Sequence, residues 1–136
     1  MAFTVLGIDH VVFRVRDLER MIRFYADVLG CGVDHRQEHL RLVHVRAGRT
    51  LIDLVQVREG ESLPEPGSGN QAHLCLRIEP WEPATLRAHL EGLGLSADWA
   101  EANFGAEGTG PSLYLKDPEG NLLELKGPAQ ATKKVD

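Results

Sequence analysis

The chain has 136 residues, 43% of them hydrophobic and 26% charged, with a formal net charge of -5. That composition suits one globular domain with a packed core, and it offers nucleic acid no dense Lys/Arg stripe, the tail "ATKKVD" being too short to count as one. No apolar run nears the roughly 20 residues of a membrane span, and "MAFTVLGIDH" has neither the basic region nor the cleavage site of a signal peptide.

Two cysteines, Cys31 and Cys75, lie far apart and in no CxxC arrangement. A disulfide framework is not expected, and the setting reads as cytoplasmic. "LGIDHVVFRVRD" reads as a strand, with Val11, Phe13 and Val15 alternating with Val12, Arg14 and Arg16 behind His10. Asp17 is a good N-cap for a helix that presents Leu18, Met21, Ile22, Tyr25, Val28 and Leu29, and Gly30 and Gly32 end it. A weak strand falls near Val33–Arg36. His35 and His39 lie in this polar stretch and read as surface residues. "LRLVHVRAGRTLIDLVQV" gives two strands around an Ala47-Gly48-Arg49 turn.

"REGESLPEPGSGN", from Arg58 to Asn70, reads as a linker. Beyond it the order starts again. "QAHLCLRI" is a strand with His73 near its start. "WEPATLRAHLEGLGL" is a helix with Pro83 in its first turn and Leu86, Leu90 and Leu93 inward. "ADWAEANFGAEGTGP" reads as a long loop suited to a lid or a substrate contact. Its Gly-rich "FGAEGTGPS" lacks the Lys and following helix of a phosphate-binding loop. "SLYLKDPEGNLLELK" reads as two strands around an Asp-Pro-Glu-Gly-Asn turn.

The chain thus repeats. One domain, 1–136, is expected to hold two modules, about 5–57 and 71–127, joined by a linker at about 58–70. Each module runs strand–helix–strand–strand–strand, an α+β fold of tandem βαβββ units. The repeat sets His10 against His73 in the first strands and Asp53 against Glu124 in the last, with gaps of 43 and 51 residues. By alternation, Ala72, Leu74, Leu76 and Ile78 share a helix-facing side, leaving His73, Cys75 and Arg77 on the other. The carboxylates sit in "LIDLV" and "LLELK", where burial is costly unless they are paired, hydrogen-bonded or metal-bound.

Taken alone, each of the four is an ordinary hydrogen-bonded strand residue. Their matched placement points to a divalent ion held by His10, His73, Glu124 and Asp53. Imidazole and carboxylate suit zinc, nickel, cobalt, manganese or iron(II). Cys75, Tyr114, His44 and Arg77 are candidate pocket residues. Arg14, Arg77 and Lys126 share the ligand-bearing faces, where the preferred reading is solvated strand ends and the other is an anion contact.

The paired modules, "IDHVVFRV", "AHLCLRI" and "DPEGNLLELK" resemble the vicinal oxygen chelate superfamily over about Leu6 to Gly127. That superfamily includes glyoxalase I, methylmalonyl-CoA epimerase, fosfomycin resistance proteins, extradiol dioxygenases and bleomycin-binding proteins. The resemblance implies a curved mixed sheet cupping a metal, ligands at His10, His73 and Glu124, and a small substrate with two adjacent oxygens. A fourth carboxylate, typically glutamate, stands in the last strand of module one in glyoxalase I, and here that place holds Asp53. In glyoxalase-like members a metal-bound carboxylate is also the base, which makes Glu124 the first candidate and Asp53 the second. The implied activity is a metal-dependent lyase or isomerase. The alternatives are an iron(II) extradiol dioxygenase or fosfomycin-type epoxide-opening enzyme, and a metal-free drug-binding protein. A thiol co-substrate stays open. The resemblance also implies a homodimer, with each cup built within one chain or across two.

Overall fold

A computed structural model describes residues 2–131, so the lysines of the C-terminal tail fall outside the described residues. Contacts divide the chain into two units, the first running through Leu63 and the second starting at Pro64.

In the first unit the elements are β1 (His10–Val15), α1 (Leu18–Asp27), β2 (Val33–Gln37), a 3-10 turn (Glu38–Leu40), β3 (Leu42–Ala47) and β4 (Thr50–Gln56). The sheet order is β1-β4-β3-β2, with β1 parallel to β4 and the other pairs antiparallel. Asp17 caps α1 by accepting from the Arg20 backbone N–H at 3.1 Å. The helix ends where Cys31 N–H reaches the Tyr25 carbonyl at 2.8 Å, with Gly30 at φ 68 making the left-handed turn. Its buried face is Met21, Ile22, Phe24 and Tyr25. These pack with Val15, Val43, Val45, Ile52 and Leu54, the buried residues of the sheet's inner face. Phe24 belongs to that core although the helical pattern read from sequence passes it over.

In the second unit the elements are β5 (Leu74–Arg77), α2 (Pro83–Gly92), β6 (Asp98–Gly105), β7 (Gly108–Lys116) and β8 (Leu122–Lys126). The order is β5-β8-β7-β6, again with a parallel first pair, β5 and β8, and antiparallel pairs beyond it. Each unit is therefore a mixed four-stranded sheet with one main helix, an α+β architecture. Leu90, Leu113, Leu115, Leu123 and Leu125 are its buried apolar residues.

Two expectations are corrected here. "ADWAEANFGAEGTGP" is not a long loop. It forms β6 and the start of β7, joined at Ala106-Glu107, and β6 escapes a sequence reading because none of its residues is fully buried. Leu93 does not face inward, being 46% exposed. Gly94, at φ 73, lets the chain reverse so that Leu95 N–H meets the Leu90 carbonyl at 2.9 Å, and the helix stops before Leu93. The Asp-Pro-Glu-Gly-Asn turn is held by the Asp117 carboxylate, which accepts from Glu119 N–H, Asn121 N–H and the Asn121 amide at 2.8–2.9 Å. That turn sets the β7–β8 register, which places Tyr114 opposite Glu124.

Candidate functional site

In the first unit the face away from α1 carries the row Val12, Asp53, His44, His35, residue opposite residue across four strands. Asp53 is only 3% exposed, although its neighbours in sequence point into the apolar core. His44 Nδ1 lies 2.7 Å from Asp53 Oδ1, and the Gln37 amide nitrogen lies 2.9 Å from His44 Nε2. A donating amide makes Nε2 the acceptor, so Nδ1 carries the hydrogen given to Asp53. The other carboxylate oxygen, Oδ2, stands 3.9 Å from His10 Nε2.

His10 is itself oriented by Asp9, whose Oδ1 is 2.6 Å from Nδ1. This fixes a hydrogen on Nδ1 and leaves the Nε2 lone pair turned toward Asp53. The Asp9 hydrogen bond is the main reason that the His10 pKa is raised; partial burial opposes it, and the Asp53 charge adds to it. Asp9 and Gln37 were not candidates from sequence. His44, a candidate pocket residue from sequence, hydrogen-bonds Asp53 on the same face of the sheet.

The corresponding row in the second unit is Cys75, Glu124, Tyr114, Asp98. His73, just ahead of β5, brings Nε2 to 3.1 Å from Glu124 Oε1. The second oxygen, Oε2, accepts from the Asn103 amide at 3.3 Å. The same nitrogen lies 2.7 Å from Ser112 Oγ and 2.9 Å from Tyr114 Oη. A register shift between Ala100 and Asn103 is what turns Asn103 onto this face.

Burial pushes the Glu124 pKa up. Hydrogen bonds from Ser112, Asn103 and Tyr114, with the His73 charge, more than reverse it, and the carboxyl sits below its ordinary value. Burial and then the Glu124 charge raise the Tyr114 phenol, which stays a neutral donor. The same two causes lift the Cys75 thiol from 9.0 to about 11.

Two donors on one ion, with bonds of about 2.1 Å, stand about 3.0 Å apart at a right angle and about 3.4 Å apart at the tetrahedral angle. The His73–Glu124 spacing of 3.1 Å fits two neighbouring ligand positions, and the 3.9 Å of His10–Asp53 is wider. Each unit thus presents a nitrogen–oxygen pair of the right chemistry. Within either unit, among the described residues, no three His, Cys, Asp or Glu side chains gather as a complete metal-holding group.

A cavity of about 300 Å³ lies beside the second pair, lined by His73, Cys75, Arg77, Glu124 and Lys126 among others. A larger groove of about 490 Å³ in the first unit runs between Arg16, Arg36 and Arg41 and touches none of the candidate ligands. Arg77 is partly spent on ion pairs with Glu107 at 3.1 Å and Glu79 at 3.3 Å. Lys126 is not the solvated strand end preferred from sequence, since it is 6% exposed. No helix among the described residues is long and apolar enough to cross a membrane.

Comparison with known proteins matches residues 10–126 to a family model described as a glyoxalase-like domain. The virulence protein STM3117 of Salmonella typhimurium is 33% identical over 124 residues, covering 87% of this chain and 81% of that protein. Its crystal structure superposes with a TM-score of 0.74 at 27% identity, covering 93% of this chain and 100% of that one. The mitochondrial methylmalonyl-CoA epimerase of Mus musculus is 31% identical over 130 residues, covering 88% of this chain and 71% of the epimerase. The fosfomycin resistance protein FosX of Mesorhizobium japonicum is 30% identical over 122 residues, covering 88% and 84%.

Proposed function

From a chain that belongs to the glyoxalase-like domain family, within the vicinal oxygen chelate superfamily, we infer a divalent-metal-dependent enzyme of the lyase or isomerase type, acting on a small substrate with adjacent oxygens. The observation that carries this is the repeated pair. In each unit an imidazole Nε2 meets a buried carboxylate oxygen across the parallel strands, at 3.9 Å and at 3.1 Å.

His10 and Asp53 in the first unit, and His73 and Glu124 in the second, are the proposed metal ligands. The chemistry such an ion supplies when bound is stabilisation of negative charge developing on substrate oxygen. The chain's own groups do the rest. Asp9 and His44 hold one imidazole and one carboxylate in fixed orientations. Asn103, Ser112 and Tyr114 keep Glu124 ionised at neutral pH, so it can accept a proton without first losing one. Glu124 is the first candidate base. Asp53, with Oδ1 committed to His44, is the second.

A fosfomycin-type, three-ligand reading has its own support in the wider His10–Asp53 spacing and in the likeness to FosX. Metal analysis by mass spectrometry on untagged protein separates the two. Wild type should carry stoichiometric metal, and His73→Ala and Glu124→Ala should lose it while remaining folded. Loss in Asp53→Ala as well favours the four-ligand lyase or isomerase, whereas retention there favours the three-ligand reading. Wild type that takes up no nickel, zinc or iron(II) would overturn both and favour a drug-binding protein.

A further inference from the structure

The cavity beside Glu124 contains a feature that metal binding does not use. Lys126 is 6% exposed, and among the described residues its Nζ is a buried atom with no hydrogen-bond partner. Buried lysines are ordinarily paired, because an ammonium stripped of water is costly without an opposite charge. The side chain lies along Gly105, where an added Cβ would stand 2.5 Å from its Cε and 2.8 Å from its Cδ. The absence of a side chain at Gly105 is what lets the lysine run there. Gly105 and Lys126 both line the cavity.

The internal repeat shows that the fold does not require this charge. In the second unit the row is Arg77, Lys126, Ser112. In the first unit the matching row is Arg14, Val55, Leu42. The position that holds valine in one unit holds lysine in the other, and the serine beside it replaces a leucine. Arg77, the other cation on this wall, is already paired with Glu107 and Glu79. That leaves Lys126 as the wall's cation without a carboxylate partner.

We propose that Lys126 is an oxyanion-recognition residue, and that the substrate is a small acid whose carboxylate or phosphonate group seats on its Nζ while its adjacent oxygens lie toward Glu124. The proposal deepens the enzymatic reading above and rests on it for the position of the reacting oxygens. The spacing agrees: residues two apart on a strand project from one face at a separation of about 6.5 Å, the span of a small acid. The charge pattern agrees too, since a carboxylate or phosphonate would supply the partner that the fold withholds.

The test is a two-dimensional nitrogen–proton NMR titration with methylphosphonate, acetate and, as neutral control, dihydroxyacetone. Wild type and Lys126→Met are each compared metal-free and zinc-loaded. Methionine keeps the length and matches the apolar residue of the other unit, so the variant should fold, and an unchanged spectrum away from the cavity confirms it. In metal-free wild type, methylphosphonate or acetate should shift the Gly105, Lys126 and Gly127 amides saturably. Whichever anion saturates at lower concentration identifies the group. Lys126→Met should weaken that binding at least tenfold and leave the control unchanged. Equal anion binding by the two proteins, or no saturable shift in wild type, overturns the proposal. Failure of wild type to bind zinc sinks the metal reading instead, while the metal-free comparison still decides this one.

Discussion

The Cys75 thiol provides a direct check on the electrostatics of the second unit. It reaches solvent, yet it stands opposite Glu124 in the sheet. Burial first and the carboxylate second raise it from 9.0 to about 11. At pH 8 the thiolate fraction then falls from about one in ten to about one in a thousand, a factor of ~100. A more basic thiolate is the better nucleophile, and with a Brønsted slope of about 0.4–0.5 this returns a factor of ~6–10. Attack on an aromatic disulfide reagent at pH 8 should therefore be ~10–16-fold slower than for an unperturbed surface thiol. The rate should keep rising well past pH 9. The assay is a stopped-flow pH series on chelator-treated protein in a Cys31→Ala background, so that one thiol reports. Glu124→Gln removes the carboxylate's charge and alters its weaker hydrogen bond to the thiol, but leaves burial, the largest cause, in place, so it should speed the pH 8 reaction without bringing it to the rate of a free thiol. A wild-type rate that levels off near pH 9, or a Glu124→Gln variant that reacts like a free thiol, would refute the reasoning.

Three further outcomes are expected. Glu124 titrates below its ordinary 4.5, because its hydrogen bonds outweigh burial. The unfolded chain therefore binds the proton more tightly, so this stabilisation is whole above about pH 5.5 and fades as pH falls through 4.5 and below. Urea titrations of Glu124→Gln should show a flatter stability curve across that window, and an unchanged slope would contradict the assignment. Gly127→Ala places a Cβ 2.6 Å from Trp81 Cδ2 and 3.1 Å from Pro111 Cγ. Both atoms belong to rigid rings, so overpacking should cost ~1–3 kcal/mol by chemical denaturation. Asp17→Ala removes the α1 cap and should lower stability by ~1 kcal/mol in the same assay, with no change in metal content.

The candidate ligands were legible because strand alternation and an internal repeat are properties of one dimension. Alternation placed His73 and Cys75 on the face away from α2, and the repeat aligned Asp53 with Glu124. The helix of the first unit was legible for a similar reason, its cap and its apolar spacing both being local. Lys126 was not legible as a buried residue. Alternation gave its face, but its depth depends on β6, which carries too few buried side chains to announce itself as a strand. Asn103 reaches Glu124 only through a register shift between Ala100 and Asn103, and no periodic pattern encodes that. Gln37 and Asp9 hold atoms of other side chains in place, a role that depends on distances rather than on spacing in the chain.

The parallel pairs have a consequence for the order in which this protein comes together. The β6–β7 and β7–β8 pairings join neighbours in sequence, and a tight turn nucleates the latter. The β1–β4 and β5–β8 pairings close far longer stretches of chain, with His73 and Glu124 51 residues apart. Contacts of that separation carry the largest loop-closure cost and form late. Both histidine–carboxylate pairs straddle these late closures. An ion held by such a pair, as proposed, would act as a cross-link at the seam that is slowest to shut, and mass action would favour the closed state. Chelation should accordingly free the first strand of each unit before the hairpins loosen, with amide exchange fastest along β1 and β5.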